Sequence, residues 1–129
     1  MNAAEHVEQW VLDFIRLEPH IENALEYSGG THSVRDVIKG IKEGQYQFWP
    51  GEDSVVITEI VDHPQARHCY YFLAGGNLVE LEEMAEEIEA WAKEQGCTRI
   101  GLTGRKGWSR TFLRDKGYEP MWHVMGKEL

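Results

Sequence analysis

Apolar residues at Val7, Trp10, Val11, Phe14 and Ile15 recur at i, i+3, i+4, i+7 and i+8. That is the spacing of one helical face, and it predicts an amphipathic helix ending near Pro19. A second short helix is expected from His20 to Tyr27, stopped by Ser28-Gly29-Gly30. Ser33 reads as an N-cap with Asp36 three residues on, Val34, Val37, Ile38 and Ile41 form the stripe that follows, and Gly44 closes it. The period then changes. Tyr46, Phe48 and the Trp49-Pro50-Gly51 turn signal predict a strand, and the β-branched run Ser54 to Ile60 predicts a second. Asp62-His63-Pro64 turns the chain into a third, His68 to Leu73, and the short connections make the three an antiparallel meander.

The strongest helical pattern follows Gly75-Gly76. Asn77 can cap it with Glu80 at the third position, Leu78, Leu81, Ala85, Ile88 and Ala92 form its stripe, and Gly96 ends it. A strand is expected over Thr98 to Thr103, a helix from Trp108 to Lys116 closed by Gly117, and a last strand over Met121 to Met125. With no repeat, low-complexity tract or linker in view, the 129 residues make one domain, helical over 1–44 and sheet-containing over 45–129.

Composition is that of a globular chain, 42% apolar and 27% charged. No apolar run approaches the roughly 18 residues that a membrane span needs, and the start of the sequence shows no secretory signal. The net charge of −9 argues against a general affinity for nucleic acid or anionic membrane. The charge is unevenly spread: residues 1–96 hold 6 basic and 19 acidic side chains, residues 97–129 hold 7 basic and 3 acidic. A basic segment on an acidic chain suits one phosphorylated ligand or one acidic partner surface. Cys69 and Cys97, far apart in sequence, read as free thiols of a reducing compartment. The six histidines show no metal-ligand spacing, and neither a P-loop nor a dinucleotide fingerprint occurs.

The stretch GCTRIGLTGRKGWSRTFLRDKGYEPMW, residues 96 to 122, resembles the strand–helix–"GY/GF" ending of the GNAT (acyl-CoA N-acyltransferase) superfamily. With the preceding LAGG and the C-terminal KEL, it is similar to small GNAT-like proteins encoded by phages and prophages. Residues 45 to 129, about two-thirds of the chain, cover the matching region. The resemblance implies an α/β fold of the α+β type, with a central mixed sheet of about five strands flanked by helices. N-terminal helices stand in place of the usual first strand. It also implies a splay between the strands before and after the long helix, where acetyl-CoA or CoA would lie.

Carried over residue by residue, the resemblance puts the diphosphate grip at Gly75, Gly76 and Asn77, where amides at a helix N-terminus attract an anion; the alternative is that the two glycines only form the turn into the helix. The family's usual Gln/Arg-x-x-Gly-x-Gly/Ala is here Leu73-Ala74-Gly75-Gly76-Asn77-Leu78, without the Gln/Arg, and Glu80 in the first turn would repel a diphosphate. Arg105, Lys106 and Arg110 would meet the cofactor's phosphates, and Trp108 its adenine or pantetheine; the alternative is that Trp108 anchors its helix while the bases stay solvated. The tyrosine that often protonates the leaving thiolate, four residues before the glycine of the ending, is Leu113 here, and the asparagine seven residues before it is Lys106. Tyr118 looks like the family's packing aromatic. The candidate bases are Glu59, His68 and Tyr70, with strand alternation putting His68 and Tyr70 on one face. His32 lies in a loop that could border a cleft.

Two readings follow. One is a phage-type GNAT-fold protein with a degenerate acyl-CoA site, acting by binding a phage structural or host protein, inside the virion or in the host cytoplasm. The other is an active N-acetyltransferase that acetylates an amine.

Overall fold

The computed structural model describes residues 8–129, so Val7 and His6 lie outside the described residues. The element order is α1 (Gln9–Leu25), α2 (Val34–Lys42), β1 (Tyr46–Pro50), β2 (Ser54–Asp62), β3 (Arg67–Gly76), α3 (Leu78–Glu94), β4 (Arg99–Leu102) and α4 (Phe112–Asp115), with a 3-10 turn at Lys106–Arg110. The four strands form one mixed sheet in the order β1-β2-β3-β4. The meander β1-β2-β3 is antiparallel, and β4, reached through α3, lies parallel to β3.

Two helices were expected before residue 28, and one is found. Pro19 sits inside α1, where its ring forgoes one hydrogen bond to the preceding turn. The helix continues because its buried stripe does: Phe14, Leu17 and Ile21 fall on one face across the proline and are almost wholly removed from water. Ile15, expected in the stripe, is 61% exposed. α2 starts as expected, with a reciprocal cap in which the Asp36 amide donates to Ser33 Oγ (3.3 Å) and the Ser33 amide donates to Asp36 Oδ2 (2.8 Å).

The sheet divides the core in two. On one face α1 and α2 bury Phe14, Leu17, Ile21 and Val37 against Tyr46, Val55, Ile57 and Leu73. On the other, Leu81 and Ile88 of α3 pack on Val56, with Trp49, Tyr71, Ala74 and Ile100 around them. The buried hydroxyl of Thr58 in β2 accepts from Trp49 Nε1 (3.0 Å) and donates to Gln47 Oε1 (2.9 Å), so its burial leaves no polar group unpaired.

Two further expectations are corrected. The helix expected over Trp108 to Lys116 is a 3-10 turn followed by a single α-turn; Thr111 is extended and re-caps the chain, its Oγ1 accepting from the Leu113 amide. No strand forms over Met121 to Met125, so the sheet has four strands, not about five. The tail crosses the free edge of β4 instead of running along it. Tyr118 is held on the α3 face, where its hydroxyl meets that of Tyr71 at 2.9 Å. Trp122, four residues on, lies under the Arg99 guanidinium, 5.3 Å from its ring centroid. Arg99 pairs with His68 on the opposite face.

Candidate functional site

The site begins as a break in strand pairing. β3 stays paired with β2 as far as Ser54↔Gly76, but its pairing with β4 ends at Tyr71↔Leu102. The stretch Phe72–Gly76 therefore has β2 on one edge and, among the described residues, no strand on the other. A bulge sets the divergence. The β2 register steps from Ile57↔Leu73 to Thr58↔Tyr71, leaving Phe72 without an opposite number. Both Phe72 and Leu73 reach the α1 side of the core. An extra residue on one strand bends it and raises its local twist, which turns β3 away from β4.

The divergence opens an apolar cavity of about 300 Å³ that passes between the strands. On the α3 side its walls include Leu81, Ala85, Trp108, Phe112 and Leu113; on the α1 side they include Ala24, Tyr27 and Ser28. At its mouth the Arg105 guanidinium stacks 3.7 Å from the centroid of the Tyr27 ring, tying the β4 loop to the end of α1. Gly104 permits this turn: a Cβ there would stand 3.0 Å from Leu102 Cδ1 and 3.1 Å from Trp108 Cδ1.

The residues expected to grip a diphosphate are occupied by the fold. Gly75 lies against α1, where a Cβ would come 3.1 Å from the His20 carbonyl oxygen. Gly76 takes φ +122°, and a Cβ on it would collide with the backbone of Asp53 and Ser54. The Asn77 side chain accepts from the Val79 (2.9 Å) and Glu80 (3.1 Å) amides, so it caps α3 as expected and takes two of the helix-end donors. The carboxylate of Glu80 does not face its own helix end. It turns to the β1–β2 loop and accepts from the amides of Glu52 (2.8 Å) and Asp53 (2.9 Å). The Ser54 hydroxyl, together with those two amides, holds its pKa below the ordinary value. Arg105, Trp108 and Leu113 line the cavity; Lys106 and Arg110 are exposed and do not.

The candidate bases are elsewhere. Glu59 pairs with Tyr70 and Val61 with His68, so Glu59, Tyr70 and His68 share the α1/α2 face at the paired end of β3, and none lines the cavity. His68 Nδ1 and the Tyr70 hydroxyl are 2.9 Å apart, and the His63 and His68 rings are 4.8 Å apart. Burial, and then the nearby Arg99 and His63, lower the His68 pKa. His32 stands closer to the cavity: its Nε2 is 3.3 Å from the Tyr46 hydroxyl, and its ring centroid is 4.8 Å from that of Phe72, a wall residue.

Sequence reasoning missed Tyr71 as a wall of the cavity and Tyr27 as the partner of Arg105. It read Tyr118 as packing, and the ring does lie 6.2 Å from that of Tyr71, with the two hydroxyls paired as well; burial pushes both phenols well above their ordinary range. Cys69 and Cys97 are free, and burial, with Cys97 nearby, pushes the Cys69 thiol up to about 11. Among the described residues no group of His, Cys, Asp and Glu is placed to hold a metal, and no helix is long and apolar enough to cross a membrane. No protein-family model matches the chain, and neither a curated protein nor a solved structure matches it.

Proposed function

We propose that this chain is a phage-type GNAT-like domain that holds the acylated pantetheine arm of an acyl-CoA in the β3–β4 opening. The observation that carries the reading is the cavity, bounded by the unpaired edge of β3 from Phe72 onward. An extended ligand bearing amides, laid along that edge, finds backbone partners as an added strand would, and apolar walls for its acyl end.

The surroundings favour holding over transferring. Leu113 lines the cavity where the resemblance expects a proton donor, and Glu59, His68 and Tyr70 stand outside it. Asn77 has taken two of the amides that a diphosphate would need. A degenerate acyl-CoA site that holds the arm without transferring its acyl group, on a chain that acts by binding a phage or host protein, is the reading these features support. Transfer to an amine is the second reading. What favours it is that Glu80, expected to obstruct the helix end, is turned away to the β1–β2 loop, and that His32 lies one ring behind the cavity wall.

Calorimetric titration with acetyl-CoA tests the proposal. Saturable binding that Ala74→Phe abolishes, with the unfolding transition of the variant retained, is the expected result. Absence of heat at millimolar ligand overturns it. Release of free thiol on addition of an amine would select the transferase reading.

A further inference from the structure

Arg99 is half-buried in a chain of 22 acidic and 13 basic side chains, yet no Asp or Glu among the described residues lies within ion-pair distance of it. Its neighbours are basic or aromatic side chains. His68 is its register partner on β3, His63 stacks edge-on against His68, and Trp122 lies against its guanidinium. Neither carboxylate on the neighbouring rows pairs with it. Asp62, beside His63, binds Arg67 at 2.6 Å, and Glu59 sits one row away opposite Tyr70. The His68 pKa is lowered first by burial and then by the nearby Arg99 and His63, so this half-covered face puts basic side chains close together.

We infer that His63, His68 and Arg99 form a binding site for a phosphate group, separate from the β3–β4 opening, with the exposed Trp122 ring beside Arg99 as its wall. A hydroxyl donated by Tyr70 to Nδ1 of His68 leaves Nε2 as an N–H donor, so the imidazole serves the anion even when neutral. The Arg99 fork supplies paired N–H groups suited to phosphate oxygens. His68, which sequence reading offered as a base, thereby takes a binding role, and Tyr70, offered beside it, positions its ring. Binding of an anion favours imidazolium.

Histidine titration by NMR in chloride and in inorganic phosphate, at matched ionic strength, tests the site. Phosphate raises the pKa of His68 saturably in the millimolar range, moves the ring resonances of His63 and changes Trp122 fluorescence. Arg99→Gln loses both responses while its circular dichroism matches the parent, and Arg99→Lys restores only part. Identical histidine titrations in the two buffers, or a phosphate response that persists in Arg99→Gln, overturn the inference. An equal response to acetate overturns the phosphate assignment. The acyl-CoA reading stands or falls separately, since none of these residues lines the cavity.

Discussion

Phe72 and Leu73, consecutive on β3, both reach the α1 side of the core because only Leu73 has a partner on β2. That single unpaired residue is where β3 parts from β4, and the cavity follows from it. Removing Phe72 from the chain restores alternation and lets β3 continue beside β4. The deletion variant is expected to fold with lower stability and to bind no acetyl-CoA, as read by chemical denaturation and calorimetry.

The α3 side depends on a few fully buried side chains, of which Ile88 is the most central. Ile88→Ala should cost about 2–5 kcal/mol, the range for a large aliphatic lost from a packed core. Urea denaturation measures it. In α1 the opposite sign is expected. Pro19→Ala restores a helix amide that α1 lacks and should stabilise by about 1–3 kcal/mol, within the known helix-interior cost of proline.

Glu80 gives the loop between β1 and β2 an acid-sensitive tie. Its folded pKa lies below the ordinary 4.5, so its contribution is full above the unfolded value and is lost as pH falls through the folded one. Stability of the parent should fall on acidification below about pH 4.5, and Glu80→Gln should flatten that fall. Parallel slopes in the two proteins would assign the acid sensitivity to other carboxylates.

Cys69 is wholly buried and its thiol is pushed up to about 11, whereas Cys97 is half-buried. A thiol reagent at pH 8 should label Cys97 first and reach Cys69 only at the rate of unfolding. Cys97→Ser should leave a native protein without fast labelling. Fast labelling of Cys69 would mean that the β3 end of the core opens locally.

Much of the fold was legible because the signals were local. Ser33 with Asp36, and Asn77 before its amphipathic run, marked two helix starts that geometry repeats. The β-branched run of β2 and the turn residues around it gave the meander. What was not legible depended on contacts distant in sequence. Pro19 looked like a terminus, since nothing in its neighbours tells that Ile21 will be buried on the sheet. Met121 to Met125 has strand-forming residues, but Tyr71 and Arg99 draw Tyr118 and Trp122 to opposite faces of the sheet. Of the residues that the resemblance put beside a cofactor, Arg105 and Trp108 line the cavity and Lys106 and Arg110 do not. The glycines before α3 read either as ligand contacts or as a turn into the helix, and the structure uses them for close approaches to His20 and Ser54. A bulge leaves no mark in the sequence, so the opening itself had to be seen.

The central claim is that the unpaired edge of β3 receives an extended thioester arm. Amide hydrogen exchange over Phe72–Gly76, with and without saturating acetyl-pantetheine, addresses it most directly, since this ligand lacks the nucleotide and any charge-driven binding with it. Slowed exchange in that segment, absent in Ala74→Phe, is the result expected. Unchanged exchange there, or protection confined to the basic segment 105–110, would contradict the claim.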